Sequence, residues 1–210
     1  PPFTGNFPNF RAIIAVVAHQ TNQEHGPMGE VTPSASIIIA AYNRFDDLRE
    51  CLDSPELKNL DPALAEIIVV DDASTDGTPD ALGPLYPNIT LLSTRHNVGP
   101  GQARNLAAQH SRGNTLVFLD SDAVPEPGWL KALLANDDGK TLLVGRVVDY
   151  TTGEVQYGPR RATFLGKSLR CPVSWANTGG AGNMALPKSL FEEVGGFDPE
   201  LSNCFEDSYL

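Results

Sequence analysis

From Ser34 onward, short apolar runs alternate with amphipathic stretches, and each run stops abruptly at a polar residue. Ser36–Ala40, Glu66–Val70, Ile89–Ser93 and Thr115–Leu119 have the length and apolar content of buried strands. Between them, Phe45–Leu52, a short stretch around Pro79–Leu82, and Gly101–His110 carry helical patterns. Strands that are apolar throughout and alternate with helices predict βαβ units. The expected fold is α/β, with a mostly parallel sheet flanked by helices on both faces. The second half is less regular. A helix is expected over Gly128–Ala135, one strand over Leu142–Val148, a hairpin turn at Thr152-Gly153, and a helix over Lys188–Val194 closed by Gly195-Gly196. Residues 1–33, rich in Pro, Asn and Gly, are expected to form an extension to a domain that runs from 34 to 210.

In parallel sheets, ligands bind beyond the carboxyl ends of the strands. Those ends here read Tyr42-Asn43, Asp71-Asp72, Asn97 and Asp120-Ser121-Asp122, so polar residues collect along one edge. The last triplet is the most informative. Two carboxylates one residue apart, directly after an apolar strand, cannot be core, because burying an unpaired carboxylate costs several kcal/mol. A hard divalent cation prefers oxygen ligands and leaves room for a phosphate-bearing substrate. The other reading is a solvated turn; the coincidence of three polar strand ends favours the site.

Bulk properties narrow the class. With 210 residues, 41% hydrophobic and 20% charged, the chain is an ordinary globular protein. A formal charge of −11 argues against nucleic-acid binding and against a polybasic membrane anchor. An acidic protein that binds an anion needs local positive charge, and a metal supplies it. Cys51, Cys171 and Cys204 show no metal or disulfide spacing, which suggests reduced thiols and a cytoplasmic setting. Peripheral association with the cytoplasmic face of a membrane stays open. The run Ala12–Ala18 is too short to span a bilayer. The four histidines lack ligand spacing and read as surface or loop residues. Arg160-Arg161, Lys167 and Arg170 form a basic stretch in an expected loop. A solvated loop is the favoured reading there over a contact with an anionic acceptor or leaving group.

Three rival readings fit less well. Gly99-Pro100-Gly101-Gln102-Ala103-Arg104 nearly matches a dinucleotide fingerprint, but Arg104 stands where a third glycine is needed and this helix is not the first. A receiver-like phosphoacceptor would use Asp71-Asp72 and Asp120, yet an extra strand precedes the pair and no later strand ends in a clear lysine. A sugar-1-phosphate nucleotidyltransferase would open with a glycine-rich loop, which Ala40-Ala41-Tyr42-Asn43-Arg44 is not.

Six segments in order, SIIIAAYNR (36–44), EIIVVDDASTDGT (66–78), HNVGPGQARNLA (96–107), LVFLDSDAVPEPGWL (116–130), GNMALPKSLFEEVGGFD (182–198) and FEDSYL (205–210), resemble a family-2 glycosyltransferase of the GT-A fold, whose sheet is Rossmann-like. One departure is Ala40-Ala41, where the family often has proline or threonine. The resemblance implies inverting transfer of a sugar from a nucleotide-diphosphate donor to a carbohydrate or glycoconjugate acceptor, as in polysaccharide synthesis. It implies that Tyr42, with Asn43 beside it, lines the nucleotide pocket and that Asp71 or Asp72 bonds the base or ribose. Asp120 and Asp122, flanking Ser121, match the DxD motif that holds Mg²⁺ or Mn²⁺ and, through it, the diphosphate. Asn97 and Arg104 match a loop–helix motif that borders the donor site; an ordinary surface position is the alternative for Arg104. Asp207 matches the general base, with Glu206 adjacent; a helix-start acid pair is the alternative. The chain stops three residues after Asp207, inside an expected helix, so a domain truncated at its C-terminal end is expected. A non-catalytic nucleotide-sugar-binding module, or an inactive fragment, is the alternative function.

Overall fold

The computed structural model describes residues 32–149, 155–157, 160–162, 168–170 and 181–199. Four parallel strands form the centre: β1 (Ala35–Ala41), β2 (Ala65–Asp71), β3 (Thr90–Ser93) and β4 (Thr115–Asp120). The crossovers carry α1 (Phe45–Leu52), α2 (Pro55–Lys58), α3 (Thr78–Leu85) and α4 (Pro100–His110). After α5 (Trp129–Leu134) come β5 (Leu143–Val144), β6 (Val147–Val148), β7 (Val155–Tyr157), β8 (Arg160–Ala162), β9 (Ser168–Arg170), β10 (Asn183–Pro187) and α6 (Lys188–Val194). The main sheet runs β3-β2-β1-β4-β10-β5, with β10 antiparallel to both neighbours. The mostly parallel α/β sheet expected from the pattern is therefore present.

Side-chain alternation along each strand divides the core in two. Ile37, Ile39, Ile67, Val69, Val117 and Leu119 pack on one face against Leu48, Leu52, Leu57, Leu82, Leu130 and Leu133 from α1, α2, α3 and α5. Ile38, Ile68, Val70, Leu116 and Phe118 pack on the other against Ala103 and Ala107 of α4 and Phe191 of α6. On that second face Phe118, Phe191 and Phe197 form a triad with ring centroids 5.2–5.5 Å apart. The small alanines let α4 lie close to the sheet, which matters for what its Arg104 can reach.

Several expectations change. The strand expected over Leu142–Val148 is two strands in different sheets: β5 joins the main sheet, and β6 pairs with β7. The break falls where Gly145 N donates to Asn183 O and Asn183 Nδ2 donates to Arg146 O, which hold the chain against β10. β10 itself follows the sequence Gly179-Gly180-Ala181-Gly182, with no strand expected. NMALP lacks β-branched residues and ends in proline, so propensity hides a strand that pairing with β4 imposes. The single turn α2 is too short to show a period; Ser54 Oγ caps it by accepting from Leu57 N at 3.4 Å. Arg160-Arg161 and Arg170, expected in a loop, lie on β8 and β9, which pair as a ribbon. Lys167, the Thr152-Gly153 turn and residues 1–31 lie outside the described residues.

The amino ends of the central strands are tied by one carboxylate. Glu66 accepts from Ser36 Oγ (2.7 Å), Arg112 N (2.6 Å) and Arg112 Nε (2.8 Å). Partial burial pushes its acidity toward the neutral form, but these donors outweigh it and hold the carboxyl below its usual range. A lowered folded-state value adds stability that is present above the unfolded value and lost as pH falls through the folded one. Glu66→Gln is expected to cost about 1–3 kcal/mol at neutral pH, and to flatten the loss of stability on acidification. Denaturant melts across the acidic range check both; an unchanged acid slope would contradict this role.

Candidate functional site

Strand order fixes where a site can be. The chain steps from β1 to β2 to β3 in one direction and then to β4 on the other side of β1. Such a reversal is where α/β sheets form their ligand crevice, here beyond the carboxyl ends of β1 and β4. Register then sets the side chains: Asp71 lies opposite Ala41, and Asp120 lies opposite Ala40. Ala40 and Ala41 face opposite sides of the pleat. Asp120 is therefore directed toward the α4 side and Asp71 toward the α1 side.

Arg104, on α4, meets Asp120 there. Its Nη2 lies 2.7 Å from Asp120 Oδ1, and its guanidinium carbon sits 5.7 Å from the centroid of the Phe197 ring. Arg104 is buried, so the surface-helix alternative for it is overturned. The other oxygen of Asp120 is confined by backbone. A Cβ placed on Gly182 would fall 2.1 Å from Asp120 Oδ2, and Asp120 N donates to Gly182 O at 3.1 Å. A larger residue at 182 would push that carboxylate from its place beside Arg104.

Asp122, two residues on, is half exposed, and its Oδ2 receives Arg44 Nη1 at 2.7 Å. Arg44 also reaches Asp47 at 3.5 Å. Ser121 between the two acids is buried. Beneath the triplet, Cys51 Sγ lies 3.9 Å from Asp120 O. Burial pushes this thiol up to about 12, and the charges of Asp122 and Asp120 add to the shift, so it stays an inert thiol.

The two acids after β2 differ sharply. Asp72 is saturated: Oδ1 accepts from Thr94 Oγ1 (2.8 Å) and Val98 N (2.9 Å), and Oδ2 accepts from Gly99 N (2.8 Å). Gly99, at φ +87°, turns its N–H toward that carboxylate. Asp72 thus shapes the loop that carries exposed Asn97 into α4. Asp71 is buried; its Oδ2 accepts from Ser74 N at 3.2 Å, while its Oδ1 has no donor among the described residues. A buried acceptor without a donor is costly and suits a ligand that brings one.

Asn43, at φ +52°, links two loops. Its N donates to Ser74 Oγ (2.9 Å), and its Oδ1 accepts from Thr75 N (2.7 Å). The neighbouring Ala73 sits at φ +61°, a conformation that costs a β-carbon roughly 1–2 kcal/mol. Asp76, held below the usual carboxylate range chiefly by the Thr78 hydroxyl, clamps the same loop by accepting from Phe45 N. Tyr42 projects from this frame, 46% exposed, with no core to fill.

Among the described residues, no three His, Cys, Asp or Glu side chains form a group that holds a metal ion unaided. Asp120 and Asp122 still suit a hard cation, since magnesium-like ions take one or two carboxylates and complete their shell with substrate phosphates and water. The residues brought to this edge are Tyr42, Asn43, Asp71, Asp72, Arg104, Asp120, Ser121 and Asp122, with Asn97 on the α4 loop. Glu206 and Asp207 lie outside the described residues. Sequence reasoning missed Arg44 and Gly182 as site residues. Arg44 sits in the YNR segment beside the strand end, and Gly182 opens GNMALP; neither residue type announces a role without its neighbour in space.

The architecture is that of a GT-A glycosyltransferase. The S. aureus protein TarS, residues 1–349 in complex with UDP, superposes with a TM-score of 0.65 at 22% identity, over 84% of this chain and 53% of that one. A Pyrobaculum calidifontis mannosyltransferase, PcManGT, in complex with GDP-Man and Mn²⁺, superposes with a TM-score of 0.63 at 22% identity, over 84% and 50%. Residues 36–195 match the model of glycosyl transferase family 2, and the chain belongs to that family. Among curated proteins, glycosyltransferase AglE of Haloferax volcanii is 27% identical over 185 residues, 83% of this chain and 59% of AglE. The chain thus spans little more than half the length of these relatives.

The contact at Gly182 can be tested without ligand. Gly182→Ala should destabilise by about 1–3 kcal/mol, the usual range for overpacking, and the double variant with Asp120→Ala should lose less than the sum of the two single losses. Denaturant melts of the four proteins check this; strict additivity would contradict the contact.

Proposed function

We propose that this chain is the donor-binding part of a metal-dependent, inverting glycosyltransferase. It would move a sugar from a nucleotide diphosphate to an acceptor hydroxyl in polysaccharide or glycoconjugate synthesis. The observation that carries the reading is the carboxyl edge of the sheet. There, Asp71 offers a buried oxygen with no donor among the described residues, and Asp120 and Asp122 present carboxylates at the β1/β4 crevice. UDP bound to TarS, and GDP-Man with Mn²⁺ in PcManGT, support a nucleotide-sugar donor and a divalent cation.

In this reading Tyr42 stacks on or beside the base, and Asp71 accepts from a base N–H or ribose hydroxyl. Asn43 and Asp72 hold the loops on either side, with Asn97 at the rim, and Ser121 keeps the turn of the triplet closed. Asp120 and Asp122 would hold Mg²⁺ or Mn²⁺, which supplies Lewis-acid neutralisation of the departing diphosphate. Arg104 fixes the Asp120 carboxylate in place, so little reorganisation is left for the reaction. Asp207, beside Glu206, takes the acceptor's proton as its oxygen attacks the anomeric carbon from the face opposite the leaving group. A single displacement of this kind inverts the centre and needs no covalent nucleophile. No helix among the described residues is long and apolar enough to cross a membrane; we place the activity in the cytoplasm or against the cytoplasmic membrane face.

Titration with UDP, GDP and dTDP, with and without Mn²⁺, tests the donor half. One diphosphate should bind, more tightly with Mn²⁺. Asp120→Ala and Asp122→Ala should weaken that Mn²⁺-dependent binding at least about 10–100-fold, the range seen when even outer partners of metal ligands are removed. The corresponding free nucleoside should bind nearly as before; equal loss for both ligands would contradict a metal role. Asp207→Asn should lower transfer or donor hydrolysis by about 10²–10⁴ with donor binding retained. Full turnover in that variant would remove Asp207 from the base role. Donor binding without any turnover in the unaltered chain would favour a binding module.

A further inference from the structure

The two carboxylates of the triplet are each matched by an arginine, and the two arginines differ in one respect. Arg104 is fixed: its side chain is 7% exposed and rests on Phe197. Arg44 is solvated by comparison, 51% exposed on a partner that is 49% exposed. Exposed pairs of this kind are weak, because water screens them and holding two long side chains costs entropy. Arg44 also immediately precedes α1, at the mouth of the crevice, with Asp46 and Asp47 in the first turn of that helix.

Resting on the reading of Asp120 and Asp122 as cation ligands, we infer that Arg44 is an exchangeable counter-ion that passes from Asp122 to the donor diphosphate. Arg44 Nη1 lies 2.7 Å from Asp122 Oδ2 and offsets charge on an acidic rim. A divalent ion held by Asp122 would compete with Arg44 for the carboxylate and repel the guanidinium by its charge. The side chain is tethered at the crevice mouth, so the released fork lies beside the site where a diphosphate would be held. Guanidinium–phosphate pairing is charge-assisted and bidentate, and stronger than the exposed pair it replaces. Arg44 would thus hold the acidic site together while it is empty and bind the diphosphate once it is filled. No bond is made or broken in the exchange.

The test is one variant with two readouts of opposite sign. In Arg44→Gln, binding of Mn²⁺ alone, read by electron paramagnetic resonance, should tighten about two- to fivefold, since an exposed competitor is lost. Binding of UDP or GDP at saturating Mn²⁺, read by calorimetry, should weaken about tenfold. Arg49→Gln removes the same charge from the adjoining helix α1 without touching Asp122, and it should reproduce neither change beyond a small general effect. A variant in which both affinities fall would make Arg44 a structural brace and overturn the inference. So would matching results for Arg44→Gln and Arg49→Gln, or tighter Mn²⁺ binding with unchanged diphosphate affinity. If the unaltered chain binds neither Mn²⁺ nor any diphosphate, the function proposed above falls first, and this inference with it.

Discussion

The hydrogen-bond register of β2, β1 and β4 is the constraint on which everything else rests. Ala41 pairs with Asp71 and Ala40 with Asp120, so the two acids leave the sheet at neighbouring rungs and on opposite faces. A slip of one residue would send Asp120 toward Cys51 and the α1 face, away from Arg104, and would exchange the side chains of β4 between the two half-cores, where neither set fits. The register is held at both ends. Glu66 ties Ser36 to Arg112 at the amino ends, and the isoleucines and valines of three strands lock the two half-cores between them. The apolar core therefore also sets the geometry of the acidic edge.

That edge concentrates negative charge in a protein that is already acidic, and the fold manages it with donors of two kinds. Asp72 and Asp76 are absorbed into loop construction by backbone N–H groups and hydroxyls. Asp120 and Asp122 are matched by arginines instead, one from a buried helix face and one from an exposed helix start. Among the described residues, Asp71 Oδ1 is the one buried carboxylate oxygen that no donor reaches. A site with fixed loops, two carboxylates beside cations and one unsatisfied buried acceptor suits a ligand that brings both donors and charge.

Much of this was legible in the chain. The four parallel strands and the helices α1, α4 and α6 follow from apolar runs and periods, and their ends fall within about two residues of the expected ones, the usual latitude for element boundaries. The polar strand ends share one edge, as expected, because a buried parallel sheet leaves nowhere else for Asp71, Asp72 and Asp120. What stayed hidden depends on contacts between distant segments. β10 is a strand because β4 needs a neighbour, not because NMALP favours one. The division between Asp71 and Asp72 is invisible in a DD pair, since it depends on which carboxylate meets the Thr94–Gly99 loop. For Arg104 the chain left a motif position and a helix-surface position both open, and only the alanines of α4, which bring it down onto the sheet, decide against the surface. Gly182 and Arg44 acquire meaning only from the carboxylates 62 and 78 positions away.

The central claim is that Asp120 and Asp122 hold one cation that grips a diphosphate. Crystals soaked with Mn²⁺ and UDP or GDP, measured at the manganese absorption edge, test it most directly. The account predicts one anomalous peak at bonding distance from a carboxylate oxygen of each residue and from the diphosphate, with Arg44 turned off Asp122. A peak among Asp46, Asp47 and Glu50 of α1 and the adjoining Asp53, or none beside the triplet with nucleotide bound, would contradict it.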